Sequence, residues 1–203
     1  MPGKFITFEG GEGVGKSTQA KLLAERLSTS SVKTYLTREP GGDVIGEEIR
    51  NLLKKSEEID PVCEVMMIFA ARRDHFVKII SPKLEQNYFV ICDRFYDSSL
   101  IYQGLLKRVS IEDIMRLKQM AIGTFEPDFT IILDASFDTS HRRITERNLI
   151  PDEYDLMNRK KYDLIRSGFQ KMAEIFSFRS VLINTEKSEN IVSEKIWKTF
   201  QNL

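Results

Sequence analysis

Glu9-Gly10-Gly11-Glu12-Gly13-Val14-Gly15-Lys16-Ser17-Thr18-Gln19 follows directly on a short apolar run, and residues 10–17 fit the pattern G-x-x-x-x-G-K-[ST]. The chemistry asks for each residue type. Glycines let backbone N–H groups turn inward around phosphate oxygens without a Cβ in the way. A helix opening just after the loop points the positive end of its dipole at the same anion. Lys16 would then reach the β- and γ-phosphates of a nucleotide, and the Ser17 hydroxyl would bind Mg²⁺. The phosphate-binding set is therefore Gly10, Gly11, Glu12, Gly13, Val14, Gly15, Lys16, Ser17 and Thr18. A glycine-rich turn that matches by accident has odds of about 1% at ordinary residue usage, and the strand before and amphipathic pattern after lower them further.

Outward from this loop, short β-type runs alternate with longer helical patterns. Strands are expected over 5–8, 32–36, 88–92, 129–133 and 181–183, and helices over 19–27, 47–53, 62–80, 111–122 and 162–176. That rhythm predicts an α/β fold, a P-loop NTPase-type parallel sheet with helices on both faces. One segment, 142–159, breaks it: it is highly charged, carries Pro151 and shows no clear apolar face. It reads either as a solvated loop or as a short lid that closes over a reaction.

The 203 residues suit a single domain, 1–203, with the lid as an insert at 142–159. Thirty basic residues balance thirty acidic ones, so the formal net charge is zero and a role on nucleic-acid backbone is not expected. Any phosphate must be held by a local site. Cys63 and Cys92 both lie in apolar runs and read as small core residues, while His75 and His141 stand alone and form no ligand cluster. No apolar run has membrane-spanning length, and the stretch after Met1-Pro2-Gly3-Lys4 is too brief for a secretory segment. A reducing cytoplasm is the expected compartment, with no membrane partner.

A phosphate loop alone does not select a reaction. The guanine-reading N-K-x-D of a GTPase does not occur, and Asp43-Val44-Ile45-Gly46 follows a Gly-Gly turn and reads as a helix start. The strand at 88–92 closes in Asp93-Arg94 rather than an acidic pair. A metal-organising carboxylate beside a bidentate phosphate clamp suits an enzyme that holds two phosphorylated substrates. Without the loop, the same dipeptide would read as a surface ion pair.

Four stretches together resemble the thymidylate kinase family. They are 8–19 with its phosphate loop, Thr37-Arg38-Glu39-Pro40-Gly41-Gly42, Phe69-Ala70-Ala71-Arg72-Arg73, and Asp93-Arg94-Phe95-Tyr96-Asp97-Ser98-Ser99-Leu100-Ile101-Tyr102-Gln103-Gly104; Pro127-Asp128 ahead of Asp134 also fits. The resemblance implies phosphorylation of dTMP to dTDP with ATP and Mg²⁺, by a homodimer. It implies that Phe69 stacks on thymine, Arg73 hydrogen-bonds the base, and Arg94 grips the acceptor phosphate. Ser99 and Gln103 would lie near the base edge, and the Tyr102 ring would crowd the sugar 2′ position. Glu12 would sit near the 3′-hydroxyl, Glu39 and Pro40 would line the same pocket, and Ser17 with Asp93 would hold the metal. On periodicity alone Phe69 reads as a helix core residue.

The chain departs from the family's pattern in three places, one of them the lid, where Ile150-Pro151-Asp152-Glu153-Tyr154-Asp155 carries no arginine at the position the family's pattern leads one to expect. Its phosphate loop carries no arginine, so the cation over the γ-phosphate must come from the lid, where Arg147 ranks first, then Arg143, ahead of Arg142 and Arg159. Arg72 replaces the acid expected before the base-reading arginine, which leaves Arg72 and Arg73 both open for that role. The catalytic set is thus Lys16, Arg94, Arg147 and Arg143. Two rivals are another nucleoside monophosphate or deoxynucleoside kinase and a P-loop nucleotide switch.

Overall fold

The computed structural model describes residues 2–55, 58–147 and 153–201. Five strands, β1 (Lys4–Gly10), β2 (Thr34–Arg38), β3 (Phe89–Asp93), β4 (Phe129–Asp134) and β5 (Ser180–Asn184), form one parallel sheet in the order β2-β3-β1-β4-β5. Each expected strand is present. β1 is central, and its register sets Phe8 beside Asp93 and Gly10 beside Leu133, so the phosphate loop and the Asp93-Arg94 pair leave the sheet at one edge. That C-terminal edge, where neighbouring crossovers diverge, is where open α/β sheets bind ligands.

Side chains alternate across the sheet, and the strands are apolar on both faces, as buried parallel strands require. Ile6, Phe8, Ile131, Leu133 and Ile183 pack on one face against α1 (Lys16–Thr29) and α9 (Glu189–Gln201). Phe5, Val90 and Cys92 face the other way, onto α3 (Pro61–His75) and α6 (Ile111–Ile122). Ile132 of β4 meets Ile165, Phe169 and Met172 of α8 (Arg159–Ile175) and Tyr102. Truncating a fully buried aromatic such as Phe8 to alanine would cost about 3–5 kcal/mol.

Capping fixes where helices begin. Asp60 accepts from the N–H groups of Val62 and Cys63 with Pro61 at the first helical position, and Ser110, Ser136 and Asn158 cap α6, α7 (Phe137–Glu146) and α8. Asp43 accepts from the N–H of Gly46 at 2.6 Å, so the 43–46 stretch is the start of α2 (Val44–Lys55), as expected. The 62–80 helix is not uniform: α3 passes into a π-helical stretch, Phe76–Ile80, and then α4 (Ser81–Glu85). A second π-helical stretch, Leu100–Leu106, follows the short α5 (Tyr96–Ser99).

Two expectations are corrected. Part of 142–159 is helical: Arg142 and Arg143 lie on α7 and Arg159 opens α8, while 148–152, with Ile150, Pro151 and Asp152, lies outside the described residues. Of the cysteines, Cys92 is buried, and burial pushes its thiol up, but Cys63 is exposed because it sits in the first turn of α3 on the solvent side.

Candidate active site

The phosphate loop is shaped by close backbone approaches. Gly13 has φ 70°, and a Cβ there would lie 2.5 Å from the carbonyl oxygen of Ser140 on α7, so only glycine fits. Gly15 ends the loop in a left-handed conformation with no side-chain cap on α1, which leaves the first amides of that helix facing the loop. Inside, Lys16 Nζ donates to the carbonyl oxygen of Gly11 at 2.5 Å. Burial, then repulsion from Arg94, lowers the Lys16 pKa. The charge of an anion entering the loop would oppose that shift.

Asp93 and Arg94 close the other side. Ser17 Oγ donates to Asp93 Oδ2 at 2.5 Å, and Asp93 Oδ1 is buried with no hydrogen-bond partner among the described residues. Two hard oxygens, one of them orphaned, fit Mg²⁺, which typically takes one or two protein oxygens and completes its shell with phosphates and water. Arg94 sits at φ 70°, a turn that swings its side chain back across the loop. Its guanidinium donates to Gly10 O and Ser98 Oγ at 3.0 Å each, to Tyr102 Oη at 3.1 Å, and to the Glu12 carboxylate. Tyr102 also donates to Glu12 at 3.1 Å. Burial would raise the Glu12 pKa, but Arg94 and Lys16 overcome it and hold the carboxyl at about 2.

Two cavities meet at this point. The donor-side cavity is bounded by Lys16, Ser17, Thr18 and Asp93, by Arg142, Arg143 and Arg147, and by residues 185–189 after β5. The second cavity lies between α2, α3 and the 95–103 segment and is lined by Pro40, Ile68, Arg72, Ser99, Tyr102 and Gln103. Glu12, Glu39, Arg50, Lys54 and Arg94 line both.

The lid candidates separate. Arg147 pairs with Asp155 at 2.6 Å, lines the donor cavity, and adds to the pull that keeps Glu12 ionised. Arg143 instead donates to Thr185 O at 2.6 Å, toward the loop leading to α9. Arg142 pairs with Glu146 and Arg159 with Asp138, both on the surface.

The helix α3 corrects the register of two expectations. Phe69 is 3% exposed in the core under α6, and Arg73 donates to Ala121 O at 2.9 Å on α6; neither lines the cavity. The cavity face of α3 is the neighbouring stripe Glu64, Ile68 and Arg72. Residues four apart share a helix face, so a reading that starts at 69 instead of 68 rotates both roles away from the cavity. Arg72 is 2% exposed, donates to Glu39 Oε2 at 2.6 Å and Ser99 Oγ at 3.2 Å, and lies over the Phe69 ring at 4.5 Å.

Several site residues escaped the sequence reading. Glu64 accepts from Gln103 at 2.6 Å, Lys107 at 2.6 Å and Tyr154 at 2.7 Å, tying three segments around the second cavity. Arg50 donates to Pro40 O at 3.0 Å and lies where the cavities join. Glu9 is fully buried and accepts from the N–H of Phe95 at 2.7 Å and from Ser98 Oγ at 2.5 Å, thereby fixing the turn that carries Arg94. Burial, then the nearby Asp97 charge, pushes its carboxyl up to about 7. A polar residue interrupting an apolar strand just before the loop was the available signal for Glu9.

Known proteins with this arrangement share one description. The family model for thymidylate kinase matches residues 8–196. A thymidylate kinase of Afipia carboxidovorans is 39% identical over 204 residues, covering 98% of this chain and 90% of that protein. One from Rickettsia africae is 38% identical, covering 93% of this chain and 91% of that protein. Among solved structures, the thymidylate kinase from Ehrlichia chaffeensis superposes with a TM-score of 0.80 at 36% identity, covering 98% of this chain and 100% of that one. The fold agrees with these matches, and the chain belongs to the thymidylate kinase family.

Proposed function

We propose that this chain transfers the γ-phosphoryl group of ATP to the phosphate of dTMP, giving dTDP and ADP. The observation that carries the reading is the meeting of two cavities at Arg94, one built on a phosphate loop and the other on a base-sized cleft with a buried arginine. Phosphoryl transfer needs alignment, exclusion of water and cations around developing charge, and little covalent help. The acceptor phosphate is already an oxyanion, so no general base is needed.

Lys16 and the loop amides hold the donor phosphates, and Arg94, which both cavities share, grips the acceptor phosphate. Ser17 and Asp93 would hold Mg²⁺, which when bound would supply positive charge to the donor phosphates. Arg147 supplies the lid cation and Arg143 borders the far end of the donor cavity. In the acceptor cavity Arg72 reads the base in place of Arg73, and Ile68 covers a base face in place of Phe69; Ser99 and Gln103 complete the edge. The Tyr102 ring, held by Glu12 and Arg94, fills the space beside the sugar and disfavours a 2′-hydroxyl.

The chain acts as a homodimer in the cytoplasm. Support for the dimer is an exposed apolar stripe, Val62 and Met66 on α3 with Ile111 and Met115 on α6, two helices that pack together. No helix among the described residues is long and apolar enough to cross a membrane. The test of function is ADP release with MgATP and a panel of dTMP, dUMP, UMP, CMP, AMP and GMP. Selective turnover of dTMP is the expected result. Turnover of another monophosphate would keep the kinase and discard the thymine pocket, and the absence of acceptor-dependent turnover would leave a nucleotide-binding switch.

A further inference from the structure

Behind the acceptor cavity lies a chain of buried polar contacts that does not touch the reacting groups. His75, fully buried at the end of α3, meets Glu39 Oε1 through Nδ1 at 3.0 Å and Thr37 Oγ1 through Nε2 at 2.7 Å. The other carboxylate oxygen of Glu39 accepts from Arg72 Nε at 2.6 Å, and the outer edge of that guanidinium faces Ser99 and the cavity. Every side chain from Thr37 to Ser99 in this series is at most 8% exposed, so each contact is made without competition from water.

The donor and acceptor roles follow from chemistry. A carboxylate paired with arginine is ionised and can only accept, so His75 Nδ1 carries the proton. The tautomer with its proton on Nδ1 leaves Nε2 to accept from the Thr37 hydroxyl. Arg72 is held by the shorter bond through Nε to Glu39 and a longer one to Ser99, so the plane of its rigid guanidinium depends on how firmly that carboxylate is itself fixed. Among the described residues, the second anchor of the Glu39 carboxylate is His75. The loop beyond Pro40 leans on the same pair: a Cβ at Gly42 would lie 2.5 Å from His75 Nε2 and 2.4 Å from Thr37 Oγ1.

Resting on the reading of Arg72 as the acceptor-base contact, we infer that His75 is a positioning residue for acceptor recognition. Through Glu39 it fixes the plane in which Arg72 presents its N–H groups to the base, and through Thr37 and Gly42 it seats the loop that carries Glu39. It touches neither nucleotide. Its removal acts on the binding of the monophosphate and not on the phosphoryl-transfer step.

Two measurements test this on the intact enzyme. With only two histidines in the chain, ring ¹⁵N–¹H correlation spectra assign His75 by comparison with a His141→Gln variant. A proton on His75 Nδ1 at pH 7 is expected, and its absence there would overturn the relay before any substitution is made. In steady-state kinetics, His75→Leu is expected to raise KM for dTMP about tenfold while kcat and KM for ATP stay within about twofold. His75→Asn, whose amide nitrogen can stand in for Nδ1, should recover most of the loss, and His75→Gln, which reaches only toward Thr37, should not. An unchanged KM for dTMP in His75→Leu, or an equal fall in kcat for Leu and Asn variants, would reduce His75 to core packing. The unsubstituted enzyme is run on the monophosphate panel alongside: another preferred acceptor would remove the dTMP reading, and the His75 comparison would then be made on that acceptor.

Discussion

Ser17, in the first turn of α1, donates its hydroxyl proton to Asp93 at the end of β3 at 2.5 Å, while the other oxygen of Asp93 is buried without a partner among the described residues. A buried acceptor left unsatisfied costs about 1–3 kcal/mol, which the fold retains only where something recovers it. A divalent cation would recover it. Asp93→Asn should therefore raise the Mg²⁺ concentration for half-maximal rate tenfold or more at fixed ATP, while binding of metal-free ATP, read by calorimetry, changes little. A Mg²⁺ titration with an unmoved midpoint would remove Asp93 from the metal site.

Arg72 and Arg73 are adjacent in sequence but meet different neighbours, the cavity and α6 respectively. Arg72→Lys keeps the charge but loses the planar fork that serves Glu39 and the cavity together. KM for dTMP should rise tenfold to a hundredfold, the scale of one charged hydrogen bond at roughly 1.5–3 kcal/mol. Arg73→Ala should leave that KM within about twofold and lower stability by about 1 kcal/mol through loss of its bond to Ala121 O. Kinetics that reverse the two would restore the register read from the sequence.

That one-residue slip marks the boundary of what the sequence makes legible. The sheet, its parallel sense and the phosphate loop are written in local terms: apolar runs, a glycine pattern, and an acid–arginine pair at a strand end. Lys16, Ser17, Asp93 and Arg94 are brought together as the motif implies. The facing of α3 is different in kind, because its residues 61–75 are apolar or small on several sides and carry no clean stripe. Only packing on α6 decides that Phe69 goes into the core and Ile68 to the cavity. Glu64 was hidden for a related reason, since its partners Gln103, Lys107 and Tyr154 lie 39 to 90 positions away. Helix α7 was not read as a helix because charge on its outer face masks a narrow apolar side.

Arg147 and Arg143 lie at opposite ends of the donor cavity. Arg147 reaches toward Glu12 and the phosphate loop, whereas Arg143 is fixed to Thr185 at the other end of the donor cavity. Removing a cation that acts on developing charge lowers kcat, by about 10²–10³-fold for one preorganised donor. Arg147→Ala should show that loss with KM for dTMP within about threefold. Arg143→Ala should chiefly raise KM for ATP. If single-turnover rates fall for Arg143→Ala and hold for Arg147→Ala, the catalytic role moves to Arg143.

Glu12 makes the unliganded enzyme sensitive to acid. Burial alone would raise its pKa, but Arg94 and Lys16 reverse the effect and take it from 4.5 to about 2. A depressed folded-state pKa means that ionised Glu12 stabilises the fold at pH values above the unfolded pKa, and that this stability is lost as pH falls toward the folded one. The full shift corresponds to roughly 3 kcal/mol. Glu12→Gln mimics the protonated group, so at pH 6 it should be less stable than the unsubstituted chain by about that amount in urea unfolding. Below pH 4.5 the gap should narrow, and near pH 2 it should close. A gap that stays constant across this range would mean that Glu12 contributes shape and not charge, and that Arg94 is held by Gly10, Ser98 and Tyr102 alone.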